Sequence, residues 1–521
     1  MCERFQDPAA WDDAALNLAI TGFARTEAAT AGHRLAAIAE LATRRLAGGL
    51  ARERRLWACD GWDSCAAEVA ADLTISHRRA STLMHQGLDL RDRLPLLGAL
   101  LRGGDITLRV ATTASWRTHL IEDPDLLAKV DADIAAVATR FGSYSDKKLA
   151  AAIDLRIERY DPDAVRRFTA AEQNLDVRFG KPDDDTGTRS VYGRLKTSDA
   201  ELAERRTNAL AKSVCGDDPR TLGERRGEAW GIIAAHGDVL PCLCGKPDCP
   251  APSGPDARGK HFEILVLTDD PNAGAAEQCK PAPQSGPDDH GSDEAGPEEH
   301  LAPDAGPPDD DTGVEPEPAA CGYTSILTGG GVIPAPLLAE LRRIGATVRT
   351  VTHAEDLSPR QGYRLSVAQR RLVWVRDVTC TFPGCDHPAE YCDLDHTTPY
   401  GTGGVTHPGN TKALCRKHHL LKTFWVGRGG WADAQAADGT IVWTSPAGLR
   451  YRAPPGSRIY FPDWDTTTPL SATPTPHAEP TPGRELRMPL RQRTRAQQQR
   501  DRIRAERERH RQFDADNPPP F

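Results

Sequence analysis

The stretch from Cys380 to Thr423 reads CTFPGCDHPAEYCDLDHTTPYGTGGVTHPGNTKALCRKHHLLKT and decides how the C-terminal third of this chain folds. Cys380 and Cys385 form one pair of potential metal ligands, and Cys415 with His418 forms a second pair with two residues between them. Thiolate and imidazole ligands at such short spacings can close a tetrahedron around Zn²⁺. We therefore predict a structural zinc site made of these four side chains.

Four further polar residues of the stretch are not needed by that zinc site: Asp395, His396, Asn410 and His419. Adjacent side chains on an extended strand point to opposite faces, so Asp395 can hold a metal ion while His396 addresses a water molecule. A carboxylate is a hard oxygen donor suited to Mg²⁺, and an imidazole near its ordinary pKa accepts a proton at neutral pH. His396 is accordingly the candidate general base.

The segment CRKHHLLK, which starts at Cys415, reads as a helix. Its metal-binding side chains lie on neighbouring faces of one turn, which lets His418 join the zinc site while His419 points toward Asp395. Between the strand and this helix, GTGGVTHPGN (Gly401 to Asn410) is a flexible glycine-rich loop.

The order of these residues resembles the HNH endonuclease motif in its zinc-bound ββα-metal form. The approach GYRLSVAQRRLVWVRDVTCTFPGC (Gly362 to Cys385) and the Ala/Arg-rich region upstream are similar to the actinobacterial 13E12 repeat family. In that family a helical region, the domain of unknown function 222, precedes an HNH nuclease domain. The HNH resemblance covers about a tenth of the chain, and the upstream resemblance covers roughly residues 30 to 265.

The resemblance implies a divalent-metal-dependent endonuclease that hydrolyses DNA phosphodiester bonds. It implies that His419 ligates the catalytic Mg²⁺ or Mn²⁺ together with Asp395. It also implies that Asn410 either orients the loop that carries the base or touches the metal. Thr423 stands where some relatives have a further metal-binding histidine, so water and phosphate would complete the coordination. The alternative is a catalytically silent, zinc-stabilised nucleic-acid-binding protein.

A second group of cysteines lies in the segment LPCLCGKPDCP, where Cys242, Cys244 and Cys249 fall close together. Three thiols at this spacing can hold a second zinc ion with His236 or His261 as the fourth ligand. The alternative interpretation is a turn that carries reduced thiols.

The 521 residues predict a multidomain, mainly α-helical protein, because a single core rarely grows to this length. We expect a helical N-terminal region with a small α+β part, a disordered acidic linker that permits relative motion, and a C-terminal zinc-bound ββα-metal nuclease domain. The expected boundaries are 1–29 for an N-terminal segment, 30–268 for the helical domain, 269–320 for the linker, 321–462 for the nuclease domain with its core at 376–425, and 463–521 for the tail.

Within the helical region, apolar residues recur at helical spacing in HRLAAIAELATRRLAGGLARERRLW, and breaks at Pro95 and at Gly103 separate further helices. The segment from Glu68 to Gly87 has a helix-turn-helix cadence with Ser76 as a cap. It predicts either a recognition helix for DNA or an ordinary helical hairpin in a bundle. LDVRFG, SVYGRL and HFEILVLTD predict strands, with a helix around residues 199 to 212.

The net charge of −9 is unevenly distributed along the chain. Residues 269 to 318 contain 15 acidic residues and one lysine, which leaves the rest of the chain at +5. Residues 484 to 511 contain 11 arginines and 4 acidic residues. This arginine-rich tail predicts either contact with nucleic-acid phosphates or a solvated, disordered segment.

The chain shows no apolar run long enough to span a membrane and no secretory signal. Its 13 cysteines are then best interpreted as metal ligands and buried thiols of a reducing compartment. We expect a cytoplasmic protein that binds DNA and does not bind a membrane; protein partners cannot be inferred.

Overall fold

The computed structural model describes residues 7–165, 175–183, 188–252, 254–267, 324–327, 331–332, 341–427, 429–468 and 484–516. The chain divides into two compact units. The first joins residues up to Ala203 to those from His353 onward, and the second is Glu204–Thr352. The acidic segment predicted to be a disordered linker, 269–320, lies outside the described residues.

The N-terminal part of the first unit is helical, as the sequence predicted. Leu35 and Ile38 of the predicted apolar stripe are buried in its core, whereas Leu50 is 53% exposed because the first helix ends at Ala47. The helices are α1 Asp13–Ala47, α2 Gly49–Glu53, α3 Gly61–Leu73, α4 His77–Leu88, α5 Pro95–Gly103, α6 Leu108–Arg117, α7 Pro124–Ala135 and α8 Asp146–Tyr160.

The predicted caps and breaks set the ends of these helices. The Ser76 hydroxyl accepts a hydrogen bond from the Arg79 amide at 3.3 Å and so starts α4. Helix α5 begins at Pro95 and stops before Gly104, whose φ of +74° few other residues adopt. Helix α4 buries Leu83 and Met84, so it belongs to the bundle core, as expected for a helical hairpin.

The predicted strands after the bundle are also present. Two antiparallel strands, β1 Asp176–Asp183 and β2 Thr188–Arg194, form a hairpin and are followed by α9 Thr197–Ala211. The second unit contains α10 Leu222–Ala234 and a four-stranded sheet of order β5-β4-β3-β6. Its strands are β3 Glu263–Leu267, β4 Thr324–Leu327, β5 Gly331–Val332 and β6 Thr347–Thr350.

The C-terminal region is built around a short antiparallel strand pair followed by a helix. Strand β7 Asp393–His396 pairs with β8 Thr411–Leu414, and the chain then enters a helix within two residues. A three-stranded antiparallel sheet of order β11-β10-β9 follows. The remaining elements are α11 Val367–Asp377, α12 Arg416–Phe424, β9 Ala432–Gln435, β10 Ile441–Thr444, β11 Arg450–Ala453, α13 Ser457–Tyr460 and α14 Arg495–Asp516.

Two adjacent charged residues at the end of α11 fix the strand pair in place. The buried Arg376 guanidinium donates to the backbone carbonyls of Pro408 and Thr411, both at 2.7 Å. The Asp377 carboxylate accepts from Arg376 and from the Ala413 amide at 2.7 Å. Because both ionic groups are buried and hydrogen-bonded on all sides, they hold β8 at a defined distance from α11.

The helical region and the C-terminal region share one hydrophobic core. Trp57, Cys59, Ala67 and Ala71 of the helical region pack with buried residues of the C-terminal region, among them Phe382, Leu414, Trp425, Ile441 and Trp443. The Trp425 indole also donates to the Cys59 carbonyl at 3.0 Å. These two regions were predicted to be separate domains that move about a linker, yet they lie in one compact unit.

The arginine-rich tail is ordered against the helical bundle. The Arg495 guanidinium contacts Asp60 at 2.7 Å, Arg507 contacts Asp161 at 2.8 Å, and Ile503 is buried in the bundle core. Part of the positive charge that suggested a phosphate-binding or solvated tail is therefore neutralised within the protein. None of the helices in the described residues combines the length and apolar character that crossing a bilayer requires.

Candidate metal centres and active-site pocket

The four predicted zinc ligands meet at one point. The ligand atoms of Cys380, Cys385, Cys415 and His418 all lie within 4.8 Å of one another, so the group can hold a zinc ion. Cys415 is the residue immediately before α12, and His418 lies in the first turn of that helix. The Nδ1 atom of His418 is 3.3 Å from the Cys415 sulfur and 3.4 Å from the Cys380 sulfur, which identifies Nδ1 as the ligand nitrogen.

Local backbone and ring contacts hold this first centre in shape. The TFPGC turn closes with a hydrogen bond of 3.0 Å from the Cys385 amide to the Phe382 carbonyl. The Phe382 ring stacks on the His418 imidazole with centroids 4.0 Å apart. Hydrogen bonds from the Cys380 and Cys385 thiols lower the pKa of Cys415 far below its ordinary value. Burial raises the pKa of Cys380, and hydrogen bonds to Cys380 and Cys415 raise that of Cys385, so Cys415 is the thiolate of the group, the form that binds zinc.

The helical bundle covers the same centre. A side chain at Gly384 would meet the Ile75 carbonyl at 2.3 Å, so the turn that carries Cys385 touches the turn between α3 and α4. The His77 ring lies edge-on to the His418 ring with centroids 5.6 Å apart. This turn is the middle of the helix-turn-helix segment, so one side of that segment is occupied by the C-terminal region.

The buried carboxylate of Asp63 contacts the His77 ring on the bundle side of this centre. The Asp63 carboxylate contacts His77 Nε2 at 3.2 Å, Lys417 at 3.1 Å and Arg491 at 3.0 Å. Burial would raise the pKa of Asp63, but the hydrogen bond from His77 and the charges of Arg495 and Lys417 lower it far below the ordinary range. Asp63 is therefore an ionised group that joins the bundle, the zinc-binding helix and the tail.

Three of the four predicted active-site residues, Asp395, His396 and His419, line one pocket of about 380 Å³, whereas Asn410 is not among its lining residues. Asp395 and His396 approach it from β7, and His419 approaches it from α12. As predicted for neighbours on a strand, Asp395 and His396 bond to different partners on different sides. Thr423 lines the pocket as well, at the position where the resemblance suggests a further ligand in some relatives.

The Asp395 carboxylate is surrounded by positive charge that the sequence analysis did not identify. Its Oδ2 atom lies 2.5 Å from Lys422 Nζ and 3.1 Å from the buried Lys412 Nζ. Burial alone would raise the pKa of Asp395, but the charges of Lys412 and Lys422 lower it well below its ordinary value. Lys412 also pairs with Asp433 at 2.6 Å. Asp395 is thus held as a carboxylate.

His419 is held by a residue that sequence reasoning missed. Its Nδ1 atom lies 2.7 Å from the Asp393 carboxylate, and its Nε2 atom faces Asp395 Oδ1 at 3.5 Å. A carboxylate on the far nitrogen fixes the orientation of a metal-binding histidine. Asp393 lies two residues before Asp395 on the same strand face, a period-two signal that could have identified it.

The two ring nitrogens of His396 differ in their hydrogen bonding. Nε2 lies 2.9 Å from the Thr406 hydroxyl, whereas Nδ1 is buried without a hydrogen-bond partner among the described residues. Burial lowers the pKa of His396, although Asp395 opposes that effect. The ring is therefore neutral near pH 7. The rings of Tyr363 and Tyr400, both exposed, lie 5.1 and 6.0 Å from it between centroids.

Asn410 holds the glycine-rich loop. Its amide nitrogen donates to the carbonyls of Thr398 at 3.0 Å and Val405 at 2.8 Å, and its oxygen accepts from the Thr398 amide at 2.8 Å. A side chain at Gly404 would meet the Thr398 carbonyl at 1.9 Å, so the loop must be tightly closed here. Of the two roles left open for Asn410, these contacts correspond to orienting the loop.

The three cysteines of the second predicted group also lie close together, and a fourth cysteine that was not predicted, Cys215, joins them. The sulfurs of Cys242, Cys244 and Cys249 lie with that of Cys215 within 4.8 Å of one another. Neither His236 nor His261 belongs to this group. Cys215 follows α9, 27 residues before Cys242, so local spacing did not reveal it.

A family described as "Domain of unknown function (DUF222)" matches residues 23–268. "Uncharacterized protein Rv3776" of Mycobacterium tuberculosis (strain ATCC 25618 / H37Rv) is 46% identical over 483 residues, which cover 92% of this chain and 87% of that protein. The chain belongs to the DUF222 family. "Uncharacterized protein Rv2100" of the same strain is 47% identical over 483 residues, which cover 92% of this chain and 85% of that relative.

The DUF222 match confirms the upstream part of the predicted resemblance, because it spans the helical bundle, the β1–β2 hairpin and the second cysteine group. Since an alignment of 483 residues cannot fit within 23–268, the similarity to these relatives extends into the C-terminal region. No solved structure matches this chain.

Proposed function

We propose that this DUF222 protein is a divalent-metal-dependent endonuclease that hydrolyses DNA phosphodiester bonds, with an HNH nuclease domain in its C-terminal region. The observation that supports it most is the convergence of Asp395, His396 and His419 in one pocket. The helix that carries His419 also carries His418, which meets Cys415, Cys380 and Cys385 in a group that could hold a zinc ion. A binding module would have no need for an acid, a base and a second imidazole at one point.

His396 is the proposed general base. Phosphodiester hydrolysis needs a base that removes a proton from an attacking water. The neutral imidazole meets this need, because burial lowers its pKa. In the tautomer that donates from Nε2 to Thr406, the lone pair of Nδ1 has no partner among the described residues. Buried polar atoms are usually paired, so we assign Nδ1 to the water that arrives with the substrate.

Asp395 and His419 are the proposed ligands of the catalytic cation. Asp395 Oδ1 and His419 Nε2 lie 3.5 Å apart, so these two side chains would together hold a divalent cation. Asp393 keeps the His419 ring turned in this direction. Such a cation, Mg²⁺ or Mn²⁺, stabilises negative charge on the phosphate and the departing oxygen.

Two cationic side chains extend the proposed phosphate site. Lys422 and Arg487 both line the pocket, and Arg487 comes from the segment that leads into α14. Cationic side chains attract the nucleic-acid backbone without reading its sequence. The exposed rings of Tyr363 and Tyr400, 5.9 Å apart, offer a surface for a base next to the cleaved bond.

One observation favours the alternative of a catalytically silent DNA-binding protein. Asp395 Oδ2 is already neutralised by Lys422 at 2.5 Å and by Lys412 at 3.1 Å. A closed ion-pair network of this kind lowers the need for a cation. Cleavage of DNA by the purified chain decides between the two functions.

The test mixes purified full-length protein with plasmid DNA and Mg²⁺ or Mn²⁺. We expect cleavage by the parent and a loss of about 10²-fold or more in His396→Ala, the usual effect of removing a positioned base. Extra metal should not restore this variant, whereas it should partly restore Asp395→Ala and His419→Ala.

The matched control is His387→Ala, since His387 is an exposed imidazole nine residues before His396 and does not line the pocket. It should cut like the parent. A parent protein that binds DNA but leaves it intact with either metal would refute the nuclease proposal and support the silent binder.

A further inference from the structure

The second unit, residues 204–352, carries a cysteine cluster that the proposed nuclease chemistry does not use. All four sulfurs lie within 4.8 Å of one another, and those of Cys215 and Cys242 are 3.5 Å apart. In a zinc site with four sulfur ligands at about 2.3 Å, neighbouring sulfurs are about 3.8 Å apart. The four sulfurs are therefore close enough together to ligate one zinc ion.

Backbone amides point at three of the four sulfurs. The Asp217 amide donates to Cys215, the Lys246 amide to Cys244, and the Ala251 amide to Cys249. In each case the donor lies two residues after the cysteine, which is the geometry of a tight turn closed on a sulfur. Amide donors of this kind stabilise thiolates and orient them.

Hydrogen bonds tie the two cysteine-bearing segments together independently of the sulfurs. The Asp218 carboxylate accepts from the Leu243 amide at 3.0 Å, and the Arg220 guanidinium donates to the Pro241 carbonyl at 2.7 Å. Arg220 and Asp218 also pair with each other at 2.7 Å. The segment after α9 and the segment before Cys242 are thus positioned to present four ligands to one ion.

The hydrophobic core next to the cluster is small. It consists of five buried residues with Ile233 and Cys242 packed at its edge: Leu210, Val214, Ala229, Ile232 and Leu240. A core of this size contributes little net stability, and small folds commonly add a metal ion or a disulfide. All four sulfurs belong to free cysteines, so no disulfide fills that role in this structure.

We propose that Cys215, Cys242, Cys244 and Cys249 form a structural Zn²⁺ site that joins the end of α9 to the loop after α10. Four thiolates in a closed tetrahedron leave no open position for a substrate, which is the character of a structural site. This inference does not depend on the nuclease proposal, because the two sites share no ligand.

The first test is the zinc content of the full-length protein, purified under reducing conditions. We expect two zinc ions per chain in the parent, one for each ligand group. Cys215→Ser should lose one of them. His236→Asn and His261→Asn should keep both, as should Cys65→Ala, which removes a buried thiol that belongs to neither group. Loss of zinc in His236→Asn or His261→Asn, with full zinc in Cys215→Ser, would overturn the ligand set.

The second test does not rely on a variant of this cluster. Cys415→Ser should empty the first centre, so that Cd²⁺ loaded into this protein reports on the second site alone. Cadmium NMR separates four sulfur ligands from three sulfurs and a nitrogen, and we expect the signal of four sulfurs. A disulfide found by mass spectrometry between any two of the four cysteines in reduced parent protein would refute the proposal, as would iron in place of zinc.

Discussion

The two cysteine clusters have similar ligand dimensions but very different surroundings. In the first, three of the four ligands are buried, Phe382 stacks on the histidine, and His77 of the bundle lies against it. In the second, all four cysteines are half-buried next to a core of five residues. The comparison teaches that ligand geometry alone does not fix what a metal ion stabilises. The first centre lies within a core shared by two regions, and the second supports a core of its own.

The strongest way to break this comparison is to separate the regions that share the first core. A fragment of residues 353–521 lacks Trp57, Cys59, Ala67 and Ala71, and it would expose Trp425 and other large apolar residues. We expect it to be insoluble or unfolded by circular dichroism even with zinc. A fragment of residues 204–352 keeps its own cluster and should fold when zinc is added. A well-folded, monomeric 353–521 fragment would contradict the shared core.

Single ligand substitutions should distinguish the two centres in the intact chain. Cys415→Ser should lower the thermal midpoint of the bundle as well as that of the C-terminal region, because metal binding contributes folding free energy to a core that both regions use. Cys244→Ser should leave that midpoint nearly unchanged and open only residues near 204–252 to protease. Hydrogen exchange measured by mass spectrometry locates both effects, and identical patterns for the two variants would refute the distinction.

The variant Asp63→Asn tests whether ionic contacts of the bundle stabilise the region around the first cysteine–histidine centre. Replacing this buried carboxylate removes the partner of Lys417 and Arg491, which are partly exposed, so we expect a cost of about 1–3 kcal/mol. Chemical denaturation measures the loss. Glu27→Gln on α1 is the control, since Glu27 is an exposed carboxylate and its replacement should cost less than about 1 kcal/mol. Equal decreases in the free energy of unfolding for the two variants would show that the Asp63 contacts do not stabilise the protein more than an exposed carboxylate does.

The same carboxylate predicts a pH dependence with a definite sign. The pKa of Asp63 is lower in the folded protein than its value of about 3.9 in an unfolded chain. Its contribution is therefore complete above about pH 4 and declines as the pH falls further toward the folded pKa. The stability difference between parent and Asp63→Asn should be constant from pH 8 to about pH 5 and shrink below about pH 4. A difference that shrinks near neutral pH would contradict the assignment.

The smallest expected effect concerns a single hydrogen bond between the two regions. The Tyr451 hydroxyl donates to the Asp72 carboxylate at 2.5 Å. Burial and Asp72 raise the pKa of Tyr451 to about 12. Tyr451→Phe should lower the free energy of unfolding by about 1 kcal/mol. Since the folded pKa is raised, the bond contributes fully below about pH 10 and is lost as the pH approaches 12. An unchanged stability of Tyr451→Phe at pH 7 would show that the bond contributes nothing.

Sequence reasoning succeeded where the determining residues are close in the chain. Cys415 and His418 lie on one helical turn, and the capped helix after Ser76 follows from a local pattern. It failed where partners are distant. Cys215 lies 27 residues from Cys242, and Asp63 lies 354 residues from Lys417, so no local periodicity connects either pair.

Lys412 and Lys422 show an intermediate case. Strand pairing places Lys412 opposite Asp395, and Lys422 follows one helical turn after His418. Both positions could be predicted once the strand register was known, but the register itself depends on packing against α11. The ordered tail was missed for a related reason. Its arginines find acidic partners only after the bundle has folded.

The position of the tail has a consequence for synthesis of the protein on the ribosome. Domains generally fold from the N-terminus as the chain emerges, yet the bundle receives Ile503, Arg495 and Arg507 only from a helix that is translated long after the bundle itself. The pocket receives Arg487 equally late. A nascent bundle would therefore wait, incompletely packed, until the tail leaves the exit tunnel. A ribosome that stalls before residue 484 would release a chain whose bundle core and candidate active site are both unfinished.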